Sequence, residues 1–166
     1  GEMVIWNAHH DAHLRAGLDD TGAVVATLAA AKAMKMCGYR PNRTIKFVFD
    51  TAEEFGYTDC WYDWSTGAWH FITKRHPDWA GRIAAMYSIE LMAAAEAQVD
   101  FNTSPELVPW LEKVCSQNPA LTPYGYEIET PQSTWQNGWS FMACGVPSFE
   151  ISAGGPEASD GNGEPS

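Results

Sequence analysis

The chain reads as an α/β protein: a mostly parallel or mixed central sheet with helices on both faces. Three observations carry that expectation. Near-continuous apolar runs of strand length recur along the chain, helical patterns separate them, and acids and imidazoles stand just beyond their ends. The first run, 3–6, predicts a core strand. Over 19–36, Ala23, Val24, Val25, Leu28, Ala29 and Ala33 predict a helix apolar on most faces, with Lys32 and Lys35 near its C-terminal end and Gly38 as its stop. A second strand is predicted over 44–49 and a third over 83–91. The interval 55–79 carries Trp61, Trp64, Trp69 and Trp79 with Tyr57, Tyr62 and Phe71, and it lacks clear periodicity. It reads as an excursion packed on the domain, its aromatic rings serving packing before any substrate pocket. Ser104 as N-cap and Pro105 at the first helical position open another helix through Leu107, Val108, Leu111, Val114 and Cys115, which Asn118-Pro119 closes. The last core strand is predicted over 146–151. Residues 152–166 are Gly, Pro, Ser and acid without a large hydrophobe, a loop or disordered tail.

Composition narrows the function. With 166 residues, 45% of them hydrophobic, the chain can bury the core of one domain, which excludes pervasive disorder. Ten Lys and Arg against twenty-one Asp and Glu give a formal charge of −11, the wrong sign for nucleic acid or an anionic membrane. Neither is expected as a partner. The longest apolar stretch, 23–31, is interrupted by Thr27 and falls far short of the ~20 residues of a membrane span. Cys37, Cys60, Cys115 and Cys144 are scattered without a paired metal spacing and read as buried free thiols, although their even number would permit two disulfides. The sequence opens at Gly1 almost directly on a strand and carries no signal-peptide pattern, which leaves any upstream segment open and the compartment not legible.

The chemistry lies beyond the strands. His9-His10-Asp11 follows the first, Glu53-Glu54 the second, and Glu90 stands near the end of the third, where α/β sheets build their sites. Asp19 and Asp20 add carboxylates at the start of the first helix, a place where capping alone accounts for one of them. Zinc accepts this mixture of imidazole nitrogen and carboxylate oxygen. Side chains alternate along an extended strand, so His9 and Asp11 share a face, and Asp11 could orient the His9 ring for metal binding. Glu53 and Glu54 diverge in the same way, leaving one for metal and one for a metal-bound water. Singly each signal is weak: a Glu-Glu pair is more often solvated surface, and a His-x-Asp triplet more often a hydrogen-bonded strand end. The His9-to-His13 spacing is not the H-E-x-x-H helix, because position 10 is His and the segment follows a strand.

The blocks Val4-Ile5-Trp6-Asn7-Ala8-His9-His10-Asp11, Gly17-Leu18-Asp19-Asp20-Thr21-Gly22 and Ile45 through Gly56, with Glu53-Glu54 inside the last, resemble the co-catalytic di-zinc peptidases that include bacterial leucyl aminopeptidase and glutamate carboxypeptidase. Tyr87-Ser88-Ile89-Glu90-Leu91-Met92 is similar to the family strand that ends in an acidic ligand. Trp139-Ser140-Phe141 through Gly145-Val146-Pro147 is similar to its approach to the last core strand. The resemblance implies a zinc-exopeptidase-like fold, with 1–151 a partial catalytic domain and 152–166 a tail. It implies two zinc ions: His9 and Glu90 on one, Glu54 on the other, Asp19 rather than Asp20 bridging both, and Glu53 as general base.

The implied reaction is hydrolysis of a peptide or small amide by an aminopeptidase-type exopeptidase, through a water held between the metals. Alternatives are an inactive peptidase-like binding or dimerisation module and a single-zinc glutaminyl cyclase-like enzyme. The sequence departs from the family pattern in three places. The Asp19-to-Gly22 block is one residue short, Asp59-Cys60 replaces a Gly-Ser, and no histidine follows His76 to complete the second metal shell. His70 and His76 read as surface or packing residues. Both ends look cut, which reads as a fragment, a nicked or split domain, or a variant whose missing parts come from another chain, with a homo-oligomer or a complementing chain as the corresponding partner.

Overall fold

The computed structural model describes residues 1–12, 17–54, 56, 64–91 and 96–154. Its strands are β1 (Met3–His9), β2 (Thr44–Asp50), β3 (Ile83–Glu90), β4 (Gln98–Thr103), β5 (Tyr126–Glu129) and β6 (Ser148–Gly154). Its helices are α1 (Gly22–Met36), α2 (Thr66–His70), α3 (Val108–Gln117) and α4 (Asn137–Met142). The strands form one six-stranded sheet in the order β2-β1-β3-β6-β4-β5. Pairing is parallel except between β4 and β6, so the sheet is mixed and the α/β expectation holds.

Strand alternation divides the core into two faces. Met3, Ile5, Ile83 and Met86 point to one face and pack with Ala68 and Ile72 from the α2 region and Phe141 from α4. Trp6, Ala8 and Ile89 point to the other and pack on Ala23 of α1. Farther along, Phe101 and Phe149 meet Leu111 and Cys115 of α3. None of the described helices is long and apolar enough to cross a membrane.

Several elements differ in detail from the sequence expectation. The first helix begins at Gly22, because Asp19 (φ −116°, ψ 100°) and Asp20 (φ −130°, ψ 28°) are not helical. It buries Ala23 and Thr27 while Val25 and Leu28 stay exposed, so its apolar surface is broader than the stripe it packs. Gly38 ends this region at φ +69°, a left-handed conformation that glycine adopts without a Cβ penalty. Ser104 stands at the N-cap position with Pro105 first in the 3-10 turn Pro105–Leu107 that leads into α3, but its side chain makes no capping bond; its Oγ accepts the Ser148 N–H instead.

The last strand starts at Ser148 and runs through Gly154, three residues into the segment expected to be tail. Those residues are small but paired, Ser152 with both Glu90 and Asp100, and Ala153 and Gly154 with Val99 and Gln98 of β4, so backbone pairing outweighs their composition. The remainder of the expected tail lies outside the described residues. Cys37, Cys115 and Cys144 are free thiols, with Cys37 exposed rather than buried; Cys60 lies outside the described residues. In the aromatic excursion, Trp69 stacks on Trp139 and His76 on Trp79, with ring centroids 5.9 and 4.0 Å apart, which is the packing expected of it. Residues 57–63, including Asp59, lie outside the described residues.

Candidate metal centre

The site forms at the carboxyl ends of β1, β2, β3 and β6, which run parallel. Alternation brings Val48, Asn7, Ser88 and Glu150 into one lateral row, and it puts Asp50 beside His9 one step nearer the strand ends. The first row is tied by hydrogen bonds. Ser88 Oγ donates to Asn7 Oδ1 at 3.0 Å, and Asn7 Nδ2 donates to Asp50 Oδ1. This buried bracing holds β1, β2 and β3 in register beneath the ligand-bearing ends.

His9, the last residue of β1, is 1% exposed. Its Nε2 lies 3.2 Å from Asp19 Oδ1, 3.8 Å from Asp20 Oδ2 and 3.9 Å from Glu53 Oε2. On the other side of the ring, Nδ1 is 3.4 Å from Asp11 Oδ1. Asp11 also reaches the next loop, where its Oδ2 accepts the Glu54 N–H at 3.2 Å. Thus one carboxylate faces the imidazole and steadies the turn that presents Glu53 and Glu54. His10 points elsewhere and is exposed, and its N–H donates to the Asp50 carbonyl.

Among the described residues, one set of three side chains closes on a common point: His9, Asp19 and Glu54 each offer a ligand atom within 4.8 Å of the other two. Glu53 is buried beside this set. Glu90 ends β3 and is not part of it; its carboxyl lies within hydrogen-bonding reach of Glu150 on β6. Of the two aspartates at the start of α1, Asp19 enters the set. Asp20 is fully buried, with the Leu91 and Ala23 backbone N–H groups facing its carboxylate.

Crowding of acids in a dry site governs the proton affinities. Burial, with Glu90, Glu54 and Asp19 nearby, pushes the Glu53 carboxyl up to about 9. Burial and the neighbouring Asp19 charge raise Asp20 to about 8. Glu90 and Glu150 are likewise held well above the ordinary carboxyl range, by burial first and then by nearby carboxylates. Burial alone would lower His9, but Asp19, Glu90, Glu53 and Asp20 overcome it and carry the imidazole to about 10. A divalent cation relieves this arrangement, because it supplies the positive charge that the carboxylates otherwise take from protons.

Glu150 was not among the residues singled out in the sequence. It lies inside an apolar run, yet Ser148 and Glu150 alternate there with Phe149 and Ile151, so a polar face toward the site was present in the pattern.

This collection of imidazole and carboxylate donors is a candidate metal site on a mixed α/β sheet of zinc-exopeptidase-like fold. The model of Peptidase family M28 matches residues 1–156, and the chain belongs to that family. No curated protein matches. Among solved structures, an Acidobacteriales bacterium glutaminyl cyclase is similar at 19% identity and a TM-score of 0.74, over 90% of this chain and 53% of that one. BSAP, a zinc aminopeptidase from Bacillus subtilis, is similar at 18% identity and a TM-score of 0.73, over 96% and 38%. The Legionella pneumophila LapA aminopeptidase is similar at 14% identity and a TM-score of 0.70, over 96% and 45%. At these identities the likeness is one of fold. The chain spans about half or less of the length of these structures.

Proposed function

We propose that the protein is a zinc-dependent aminopeptidase-type hydrolase that cleaves the bond after an amino-terminal residue. The observation that carries this reading is the convergence of His9, Asp19 and Glu54 beside a buried, proton-avid Glu53. Imidazole plus carboxylate oxygen is the donor chemistry zinc prefers, and the trio, crowded by like charges, fits a dication. Glu90, at the end of β3, supplies a carboxylate for a second ion. Bound zinc would supply Lewis acidity toward a scissile carbonyl and lower the pKa of a nearby water.

The side chains divide the remaining work. Asp11 faces Nδ1 of His9 and so holds the ring with Nε2 toward Asp19. Glu53 serves as general base: it accepts a proton from the attacking water and returns it to the departing amine. A carboxyl held up to about 9 in the crowded site keeps a proton well at neutral pH. Bound cations lower that affinity toward the range a base needs. The test is product analysis by mass spectrometry on a panel of short peptides. Stepwise loss of amino-terminal residues, abolished in Glu53→Gln, supports the reading; intact peptides with zinc-loaded protein contradict it.

A single-zinc cyclase is favoured by one observation, that only one closed donor trio exists among the described residues. In that reaction the α-amine of an amino-terminal glutamine attacks its own side-chain amide and ammonia leaves. A peptide beginning with glutamine therefore separates the two readings: loss of ammonia with the chain length unchanged means cyclisation, and a freed amino acid means hydrolysis. A binding module without catalysis predicts neither product and no bound zinc.

A further inference from the structure

The observation the metal trio leaves unexplained is Glu150. Its side chain is in the middle of β6, on the sheet face that carries Asn7 and Ser88, and only 2% of it is exposed. A carboxylate is costly to bury unless something compensates it. Glu90 lies within hydrogen-bonding reach and offsets part of that cost, but Glu53 and Asp20, close enough to interact electrostatically, add to it.

The backbone N–H of Asn137, at the start of α4, faces the group, yet Oε2 has no hydrogen-bond partner. Glu90 Oε1 is buried without a partner as well. The Arg43–Glu2 and Arg82–Asp78 ion pairs lie elsewhere. The imidazole of His9 is already committed between Asp11 and Asp19.

The position is also built to stay where it is. Ser148, two residues earlier on the same face, donates from Oγ toward Gln132 Oε1 and the Gly138 carbonyl, each at 2.8 Å. Gln132 Nε2 in turn donates to the Asn102 carbonyl at 2.8 Å. A Cβ at Gly138 would come within 2.3 Å of Gln132 Nε2, so α4 packs closely on this network, to which the Gly138 carbonyl is hydrogen-bonded. Two unpartnered, buried oxygens on adjacent rigid strands are costly as structure and useful as donors.

We propose that Glu150 is a metal ligand, which joins Glu90 to hold a second divalent cation through oxygen donors alone. This rests on the metallohydrolase reading and extends it to a residue outside the trio. Oxygen-only donors make this the harder of the two sites, and His9 gives the trio its affinity for zinc.

The experiment measures zinc per chain by inductively coupled plasma mass spectrometry. The wild type, Glu150→Gln and His9→Ala are each equilibrated with zinc and desalted. Two ions in wild type, one in Glu150→Gln and one in His9→Ala support the assignment. Two ions in wild type and two in Glu150→Gln overturn it while leaving the metallohydrolase reading intact. One ion in wild type that Glu150→Gln retains also overturns it. No zinc in wild type overturns both.

Thermal unfolding provides a readout independent of stoichiometry. In chelator, Glu150→Gln should melt at or above the wild-type temperature, because an uncharged amide replaces a carboxyl that burial and neighbouring acids disfavour in its charged form. Its zinc-induced rise in melting temperature should be smaller than that of wild type. An equal zinc-induced rise contradicts the assignment, and a chelator-treated variant that melts well below wild type assigns Glu150 a structural role instead.

Discussion

At the scale of single residues, His9 is the pivot, since one imidazole faces Asp11 through one nitrogen and Asp19 through the other. Asp11→Asn keeps the shape and removes the charge that fixes the ring. Zinc affinity should fall about 10- to 100-fold, a change that calorimetric titration resolves. An unchanged affinity would show that the ring is positioned by burial alone. Glu53 makes a different kind of contribution: Glu53→Gln should lower kcat by ~10² to 10⁴ while zinc content stays at the wild-type level. His9, Asp19 and Glu54 were legible in the sequence because each stands at the border of a recognisable element. The partition among them was not, because the trio depends on how the turn at Asp19 folds back over the strand end. Glu90 was legible as a strand-end acid, but its neighbour Glu150 is supplied by a distant strand that only the sheet order brings alongside.

At the scale of elements, the loop carrying Glu53 and Glu54 is held from behind by α2. A Cβ on Gly67 would lie 1.7 Å from the Thr51 carbonyl oxygen, which is backbone and cannot yield cheaply. Gly67→Ala should therefore cost on the order of 1–3 kcal/mol in denaturant unfolding and also weaken zinc binding, because relief requires the loop to move. A variant with wild-type stability and zinc affinity would show that the loop and α2 are less tightly coupled than their packing indicates. The core strands β1, β2 and β3 were readable from their apolar runs. By contrast β4, with Asp100 and Asn102 on alternate positions, and β5, only four residues long and mostly exposed, carry little hydrophobic signal. They exist because neighbouring strands supply partners for their backbone groups, information that is not local to either segment.

At the scale of the whole molecule, the site is a reservoir of buried acid that sets how stability responds to pH. Asp50 is raised to about 6, chiefly by burial, against the hydrogen bond from Asn7. Asp20 stands at about 8, Glu53 at about 9 and His9 at about 10. Every one of these folded-state values exceeds the unfolded one, so the folded chain binds more protons than the unfolded chain from about pH 4 to about pH 10. Stability in chelator should fall as pH rises through that window. Urea unfolding at about pH 5 and about pH 9 measures it, and equal or greater stability at the higher pH would contradict the burial of these groups. Saturating zinc should flatten the dependence, because the cation replaces the protons.

The most direct test of the metal centre is anomalous diffraction at the zinc absorption edge from crystals grown with zinc. The account predicts a peak within bonding distance of His9 Nε2 and of the Asp19 and Glu54 carboxylates. A well-ordered site with no peak among those three residues would contradict it.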